Sequence, residues 1–261
     1  IRARSGIENR HFAGDDDSTS SMAVAAATAA LADAGCTADD VDAIIVATST
    51  ADLTFPSTAT MVQAGLGMTS GFAFDVQAVC AGFVYALANA NALIASGQAK
   101  RVLVIGSETF SRIMDWTDRG TCVLFGDGAG ALLLEGQEGA GTPADRGILA
   151  TDLNSDGRHK DLLYVDGGSS TGTTGYLRMQ GNQVFRHAVE KLAATAQTAM
   201  DRAGVTAAAS GQHPHHPGHC QKDEHLDGPR GRHRSGSRQH LGRVDPAGPV
   251  RGQATRPDQA G

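Results

Sequence analysis

The most informative segment of this chain reads Phe74-Asp75-Val76-Gln77-Ala78-Val79-Cys80-Ala81-Gly82-Phe83-Val84-Tyr85-Ala86-Leu87, residues 74–87. Its first part is a short apolar run ending near Val76, which predicts a β-strand. The Ala-rich run that begins at Cys80, or just after it, predicts a long helix. A strand followed directly by a helix predicts an α/β unit with a cysteine at the junction.

Cys80 has two interpretations at this stage. A thiol at the N-terminus of a buried helix lies at the positive end of the helix dipole, which favours the thiolate. The thiolate is a nucleophile, so this position suits covalent catalysis on an acyl group. Alternatively, Cys80 is a small buried hydrophobic residue, the usual environment of a free cysteine. The local pattern leaves both interpretations open.

The residues up to 207 predict strands that alternate with helices. The predicted strands are residues 43–47, 73–76, 101–105 and 131–134, and the predicted helices are residues 21–34, 81–96 and 182–203. Residues 17–20 offer N-cap candidates for the first helix, and Gly35 ends it. Near-continuous apolar strands between helices predict a buried, mostly parallel sheet.

Size and composition exclude several classes of protein. The 261 residues suffice for one large domain or two medium ones. The four cysteines show no CxxC spacing and no disulfide framework, which indicates a cytoplasmic, reducing compartment. We find no signal-peptide pattern and no apolar run of the ~18 residues that span a membrane, so no membrane is expected as a partner. The chain begins with Ile, and we expect the natural start to lie upstream.

Charge and composition change sharply near residue 208. Residues 1–207 carry 14 Lys and Arg against 23 Asp and Glu, and this acidic body argues against nucleic acid as a partner. Residues 208–261 contain no Phe, Trp or Tyr, so we expect disorder. Residues 213–220 hold metal-ligand types, but prolines break their presentation. Residues 230–234 are Arg-rich, but a short solvated charge run explains them without nucleic acid.

Six motifs occur in order along residues 2–185. They are R-A-R-S-G-I at 2–7, F-P-S-T-A at 55–59, D-V-Q-A-V-C-A-G-F at 75–83, D-R-G-T at 118–121, F-G-D-G-A-G-A at 125–131 and M-Q-G-N-Q-V-F at 179–185. Together they resemble the β-ketoacyl-acyl-carrier-protein synthase III family, thiolase-fold condensing enzymes that start fatty acid synthesis. The resemblance runs almost without gaps from Arg2 to Thr206.

The resemblance implies a role for each matching residue. Cys80 would take the acyl group from acyl-CoA as a thioester. Arg4 and Arg119 would lie at the CoA site and bind its nucleotide end. Phe55 would reach across a homodimer interface to line the partner's acyl pocket, and Phe185 belongs to the same substrate- and CoA-binding set.

Simpler interpretations remain for three of these features. Arg119 could pair with Asp115 or Asp118, and Phe55 could be a core residue. The segment at residues 126–130 is similar to a phosphate loop but lacks both the GK[ST] sequence and the full GxGxxG pattern. We therefore interpret it as tight backbone packing near the active site.

Two catalytic residues that the resemblance implies are absent from this reading frame. The family places a His in P-H-Q-A-N and an Asn in H-G-N-T-S, and neither motif occurs here. His11, His159 and His187 match no catalytic motif, and we expect them at the surface. Loss of the His and Asn predicts a chain without condensing activity.

The tail reads as family sequence when the frame is shifted by one base. With permitted codons, residues 208–212 become P-H-Q-A-N, residues 221–227 become K-K-M-N-I-S-M and residues 237–247 become H-G-N-T-S-A-A-S-I-P-L. The His would fall at Ala209 and the Asn at Gln239. We therefore predict that the tail is a frameshifted translation, accompanied by a short deletion.

The predicted fold is α/β and thiolase-like, with two similar α/β halves in α/β/α/β/α layers and the second half incomplete. Residues 1–136 would form the first half without its opening strand. Residues 136–143 would connect it to residues 147–207, which begin the second half, and residues 208–261 would form the tail.

The resemblance implies condensation of a short acyl-CoA, expected to be acetyl-CoA, with malonyl-acyl-carrier protein. No metal or redox cofactor is implied. The expected partners are the acyl-carrier protein, acetyl-CoA and a second copy of the chain in a homodimer. The alternatives are a polyketide starter synthase, another thiolase-fold condensing enzyme or a catalytically dead product. The run D-W-T-D-R-G at residues 115–120, followed by G-D-G, favours the fatty-acid type.

Overall fold

The computed structural model describes residues 6–140, 142 and 145–206. Arg4, the tail at residues 208–261 and the shifted-frame positions Ala209 and Gln239 lie outside these residues. Part of the connecting segment at residues 136–143 lies outside them as well.

The described residues form four α-helices and six strands. The helices are α1 (Thr19–Ala34), α2 (Thr58–Gly65), α3 (Gly82–Ala95) and α4 (Gly181–Ala203), and the strands are β1 (Ala43–Ala47), β2 (Phe72–Val76), β3 (Arg101–Thr109), β4 (Asp127–Glu135), β5 (Leu163–Val165) and β6 (Leu177–Met179). All seven predicted elements are present. The sequence analysis missed α2, and it started β4 four residues too late.

The main sheet has the strand order β2-β1-β3-β4. Strand β1 pairs in parallel with β2 and β3, whereas β4 runs antiparallel to β3. Every residue of β1 is buried, which explains its unbroken apolar sequence at the centre of the sheet. The prediction of a buried, mostly parallel sheet is confirmed.

Helices cover both faces of this sheet. Helices α1 and α2 pack on one face, in a cluster that includes Ile44, Val62 and Leu103. Helix α3 packs on the other face against Ile45 and Val104. Because successive strand residues point to opposite faces, neighbours such as Ile44 and Ile45 serve different cores. The result is an α/β/α arrangement, as the fold prediction requires.

The ends of α1 follow the predicted chemistry. The Ser18 side chain accepts a hydrogen bond from the Ser21 backbone N–H, and the two residues form a capping box. Gly35 adopts a left-handed conformation with φ of 65° and ends the helix.

The residues beyond 145 form a smaller unit. Strands β5 and β6 pair antiparallel, and α4 follows them. The Tyr85 hydroxyl on α3 donates to the Asn154 carbonyl at 3.1 Å, which joins this unit to the main sheet. The division into two halves stays a prediction. Among the described residues, no helix has the length and apolar character needed to cross a membrane.

Candidate active site

Three segments leave the same edge of the main sheet. Strands β2, β1 and β3 are parallel, so their carboxyl ends lie together. Residues 77–80 follow β2, residues 48–57 follow β1 and residues 110–126 follow β3. Ligands of open α/β sheets bind outside the carboxyl ends of the strands. Cys80, Phe55 and Arg119 therefore belong to segments at the edge where a site is expected.

Cys80 lies in a one-turn 3₁₀-helix, Val79–Ala81, directly before α3. Helix α3 begins at Gly82, so the predicted helix start at Cys80 or Ala81 was slightly early. The cysteine is exposed. The interpretation of Cys80 as a small buried hydrophobic residue is therefore wrong, and its thiol is accessible to a substrate.

The turn that presents Cys80 is tight. Val79 has φ of 47°, and it is the only non-glycine residue with positive φ in the described ranges. This region is rarely adopted by a β-branched residue, and such strain costs about 1–3 kcal/mol. The next turn is closed by Gly82, where an added Cβ would lie 3.4 Å from the Cβ of Ala47. The backbone thus packs closely on β1 and turns the thiol outward.

A carboxylate connects the cysteine segment to α2. Asp75 on β2 accepts hydrogen bonds from the backbone N–H groups of Thr58, at 2.8 Å, and Ala59, at 2.7 Å. These donors belong to the first turn of α2, which otherwise lacks backbone partners. The F-P-S-T-A motif and the cysteine motif are therefore physically joined.

Phe55 is the most exposed large apolar side chain of this edge, at 83% exposure. The interpretation of Phe55 as a core residue is wrong. A cis peptide bond joins it to Pro56. The preceding residue, Thr54, contacts the Ser169 hydroxyl at 3.1 Å.

Two carboxyl groups that the sequence analysis did not single out anchor the segment that carries Phe55. Glu108, at the end of β3, accepts from the Ser49 N–H at 2.8 Å and the Thr50 hydroxyl at 2.5 Å. Burial raises the pKa of Glu108 despite these hydrogen bonds. Asp52 accepts from the Ser20 backbone N–H at 3.0 Å and the Ser20 hydroxyl at 2.9 Å.

Asp52 and Glu108 titrate in opposite directions. Burial opposes ionisation of Asp52, but hydrogen bonds from Ser18 and Ser20 outweigh it and lower the pKa of Asp52. Asp52 therefore holds its segment as an anion. Neither residue carries a sequence signal, because their partners lie about 30 to 60 positions away along the chain.

Arg119 is exposed and makes no hydrogen bond or ion pair with any described residue. Asp115 is occupied by Arg178, at 2.9 Å, and Asp118 accepts from the Gly120 N–H at 2.9 Å. Hydrogen bonds from Thr117, and then from Arg178, lower the pKa of Asp115. The interpretation of Arg119 as the partner of Asp115 or Asp118 is wrong. Its guanidinium is available to an anionic ligand.

The glycine-rich segment differs partly from its interpretation. A Cβ on Gly126 would lie 3.0 Å from the His11 carbonyl oxygen, so the packing there is tight. Gly128 and Gly130 lie in β4 with no heavy atom within 4 Å of an added Cβ. Asp127 accepts from the Ala13 N–H at 2.8 Å and fixes this end of β4. Tight packing is therefore confirmed at Gly126 and wrong at the other two glycines.

Phe185 lies on α4, away from the segments that follow the main sheet. It is 71% exposed and forms a stripe with Val189 and Leu192. An open cavity of about 630 Å³ lies between α3 and α4, and neither Cys80 nor Arg119 lines it. The structure does not bring Phe185 into contact with Cys80.

The three histidines differ in their exposure. His11 is exposed, as expected. His159 and His187 are half-buried, with ring centroids 4.2 Å apart, so the surface prediction was wrong for this pair. They contact each other because a loop and α4 pack together. The described residues contain no group of three His, Cys, Asp or Glu side chains that could hold a metal ion.

This arrangement can support transfer of an acyl group. It combines an exposed thiol on a strained turn, an unpaired guanidinium and an exposed aromatic residue on segments that leave one sheet edge. A thiol can form a covalent acyl intermediate, and a guanidinium can bind phosphate.

Comparisons with known proteins identify the family. A profile described as 3-oxoacyl-[acyl-carrier-protein (ACP)] synthase III matches residues 74–157. The chain is 83% identical over 207 residues to β-ketoacyl-[acyl-carrier-protein] synthase III of Roseobacter denitrificans, covering 79% of this chain and 64% of that protein. The chain thus spans about two thirds, 64%, of the length of that relative.

Solved structures agree. The 3-oxoacyl-[acyl-carrier-protein] synthase III of Aquifex aeolicus matches with a TM-score of 0.72 and 42% identity, over 79% of this chain and 63% of that one. The priming β-ketosynthase of the R1128 polyketide pathway matches with a TM-score of 0.70 and 30% identity, over 78% and 61%. The thiolase-like fold and the order of the motifs lead to one conclusion: the chain belongs to the β-ketoacyl-[acyl-carrier-protein] synthase III family.

Proposed function

We propose that the whole protein condenses a short acyl-CoA, acetyl-CoA above all, with malonyl-acyl-carrier protein and so initiates fatty acid synthesis. The observation that carries this proposal is the exposed thiol of Cys80 on a tight turn at the carboxyl edge of the parallel sheet. The 83% identity to a protein of that name supports the same reaction.

The first half-reaction needs Cys80 alone as a covalent group. Its sulfur attacks the thioester carbonyl carbon of acyl-CoA, the bond from that carbon to the CoA sulfur breaks, and CoA leaves as a thiol. The acyl group remains on Cys80 as a new thioester. Arg119 supports this step by binding a phosphate at the nucleotide end of CoA, because its guanidinium makes no hydrogen bond or ion pair within the described chain. Arg4 is proposed for the same end.

The second half-reaction forms the carbon–carbon bond. The malonyl group loses CO₂, the resulting carbanion attacks the acyl carbonyl on Cys80, and the Cys80 thiolate leaves. The His and Asn that assist this step in the resemblance are encoded only in the shifted frame, at Ala209 and Gln239. We therefore expect the 261-residue chain to acylate slowly but not to condense.

The partners of the whole protein follow from the same proposal. They are the acyl-carrier protein and a second copy of the chain, in the cytoplasm. Phe55, at 83% exposure, leaves a large apolar surface in water, and insertion into a second copy would bury it. Phe185 is assigned to the substrate-binding set by its motif alone.

Labelled acetyl-CoA tests the first half-reaction. The purified chain is incubated with [¹⁴C]acetyl-CoA, and the peptide that carries the label is identified by mass spectrometry. We expect label on the Cys80 peptide, its loss in Cys80→Ser and its retention in Cys36→Ser, since Cys36 is half-buried. Label that persists in Cys80→Ser, or its absence from a folded chain, would contradict the proposal.

A polyketide starter synthase is the second candidate, because a priming β-ketosynthase shares the fold at 30% identity. The acyl-CoA and acceptor profile of a chain repaired in its reading frame separates the two. Preference for acetyl-CoA with the carrier protein of fatty acid synthesis supports the first candidate.

The shifted frame is itself a proposal with a direct test. Resequencing the gene across the codons for residues 195–261 should reveal an insertion or deletion that restores P-H-Q-A-N and H-G-N-T-S. If the shifted reading is confirmed in the genome, the chain is a defective relative whose Cys80 lacks its partners.

A further inference from the structure

An exposed aromatic pair lies on the segment that carries Arg119. Trp116 is 55% exposed and Phe12 is 48% exposed. Their rings meet edge to face, with centroids 5.3 Å apart and an interplanar angle of 77°. The edge of one ring supports the other, and the free ring surface stays in water. Contiguous exposed aromatic surface marks a contact site.

Trp116 is held rigidly by its neighbours. The Asp118 N–H donates to the Asp115 carbonyl at 3.0 Å, which closes a turn around Trp116. The Asp115 carboxylate accepts from the Thr117 N–H at 3.0 Å and from Arg178 at 2.9 Å. Arg178 comes from β6, so the turn is fixed from two parts of the chain. A ligand that binds the indole would pay little to order this backbone.

A second turn follows and presents Arg119. The Thr121 N–H donates to the Asp118 carbonyl at 3.2 Å. Tandem turns thus carry an indole and an unpaired guanidinium three residues apart. An aromatic face binds a nucleobase by stacking, and a guanidinium binds a phosphate. Together these groups match a nucleotide rather than an acyl chain or a protein helix.

We propose that Trp116, supported by Phe12, is the stacking surface for the purine base of CoA, next to the phosphate bound by Arg119. This inference rests on the proposed function, because it takes acyl-CoA as the substrate. It assigns Trp116 to recognition of the nucleotide, distant from the acyl transfer at Cys80. Its consequence is a preference for CoA thioesters over thioesters of pantetheine alone.

Fluorescence tests the proposal directly, because Trp116 is the only tryptophan of the chain. The 261-residue chain is titrated with CoA, with adenosine 3′,5′-bisphosphate and with pantetheine. We expect saturable quenching by the two nucleotides and none by pantetheine. Unchanged emission with CoA, or equal quenching by pantetheine, would overturn the proposal. This measurement does not depend on acylation, so it separates this inference from the proposed function.

Variants provide the second test. Acylation of Cys80 is measured with acetyl-CoA and with acetyl-pantetheine. Trp116→Ala should reduce the preference for acetyl-CoA about tenfold, and Trp116→Phe less, since stacking is worth ~1–3 kcal/mol per base. An equal loss with both donors would show a structural role and overturn the assignment.

The remaining outcomes are also decisive. If neither donor acylates Cys80, the proposed function fails, and the quenching result still decides whether Trp116 binds the nucleotide. If Trp116→Ala changes the oligomeric state by size-exclusion chromatography and CoA does not quench, the pair belongs to an interface between copies, and the inference is rejected.

Discussion

Replacing Asp75 by Asn should destabilise the chain by about 2 kcal/mol, because a hydrogen bond that involves a charged group contributes ~1.5–3 kcal/mol. The two carboxylate oxygens of Asp75 accept from Thr58 and Ala59, at 2.8 and 2.7 Å. Asn keeps one accepting oxygen, but its amide group faces the second backbone donor. Asp75→Ala removes both acceptors and should cost about 3 kcal/mol.

Urea unfolding followed by circular dichroism measures this loss. With an m-value of about 2 kcal/mol/M, a loss of ~2 kcal/mol lowers the unfolding midpoint by about 1 M. The matched control is Asp16→Asn, since Asp16 is exposed and makes no hydrogen bond with any described residue. Its midpoint should stay within about 0.2 M of the parent chain.

The result that would refute this reasoning is an Asp75→Asn midpoint equal to that of Asp16→Asn. The cap on α2 would then contribute nothing, and the connection between the cysteine motif and the F-P-S-T-A motif would be geometric only. A loss in Asp75→Ala that equals the loss in Asp75→Asn would show that the charge, and not the number of acceptors, decides the effect.

Two further predictions concern buried and strained positions. The raised pKa of Glu108 means that its stabilising contribution is complete below the ordinary pKa of about 4.5 and is lost as pH rises through the folded-state pKa. Glu108→Gln should therefore gain stability relative to the parent between about pH 4 and about pH 8, as measured by urea midpoints; a constant difference would contradict this. Gly71 has φ of 79°, and an added Cβ would lie 2.5 Å from the Asp42 carbonyl oxygen, so Gly71→Ala should cost about 3 kcal/mol in urea unfolding. Gly67→Ala, with φ of 72° and open space, should cost only about 1 kcal/mol, and equal losses would exclude the clash.

The sequence predicts the elements whose stability is local or whose burial is complete. Strand β1 was placed residue for residue, because a fully buried strand has a continuous apolar sequence. Helix α2 was missed because it is short and its first turn depends on Asp75, a residue from another strand. Strand β4 was started late because Gly128 and Gly130 have weak strand preference, whereas pairing with β3 extends the ladder to Asp127.

The site was only partly predictable for a related reason. The position of Cys80 follows from a local strand–helix junction, and the prediction of a nucleophile at an exposed turn agrees with its accessibility. The partners of Arg119 could not be read from neighbouring positions. Asp115, four residues away, appeared available until Arg178 from β6 was found to occupy it. Competition between distant charges is a property of the folded chain.

The acidic residues of the motifs explain why these motifs are so regular in order and spacing. Asp75, Asp118 and Asp127 all accept backbone N–H bonds at the edge where the parallel strands end. Each fixes a loop next to a group that a ligand can reach: Asp75 lies on the strand that leads to Cys80, and Asp118 lies beside Arg119. Much of each motif therefore encodes loop geometry rather than chemistry. A chain can keep these carboxylates, and with them the family signature up to residue 206, while lacking the His and Asn needed for condensation. For this reason, activity in this family must be judged from the thiol and its catalytic partners together.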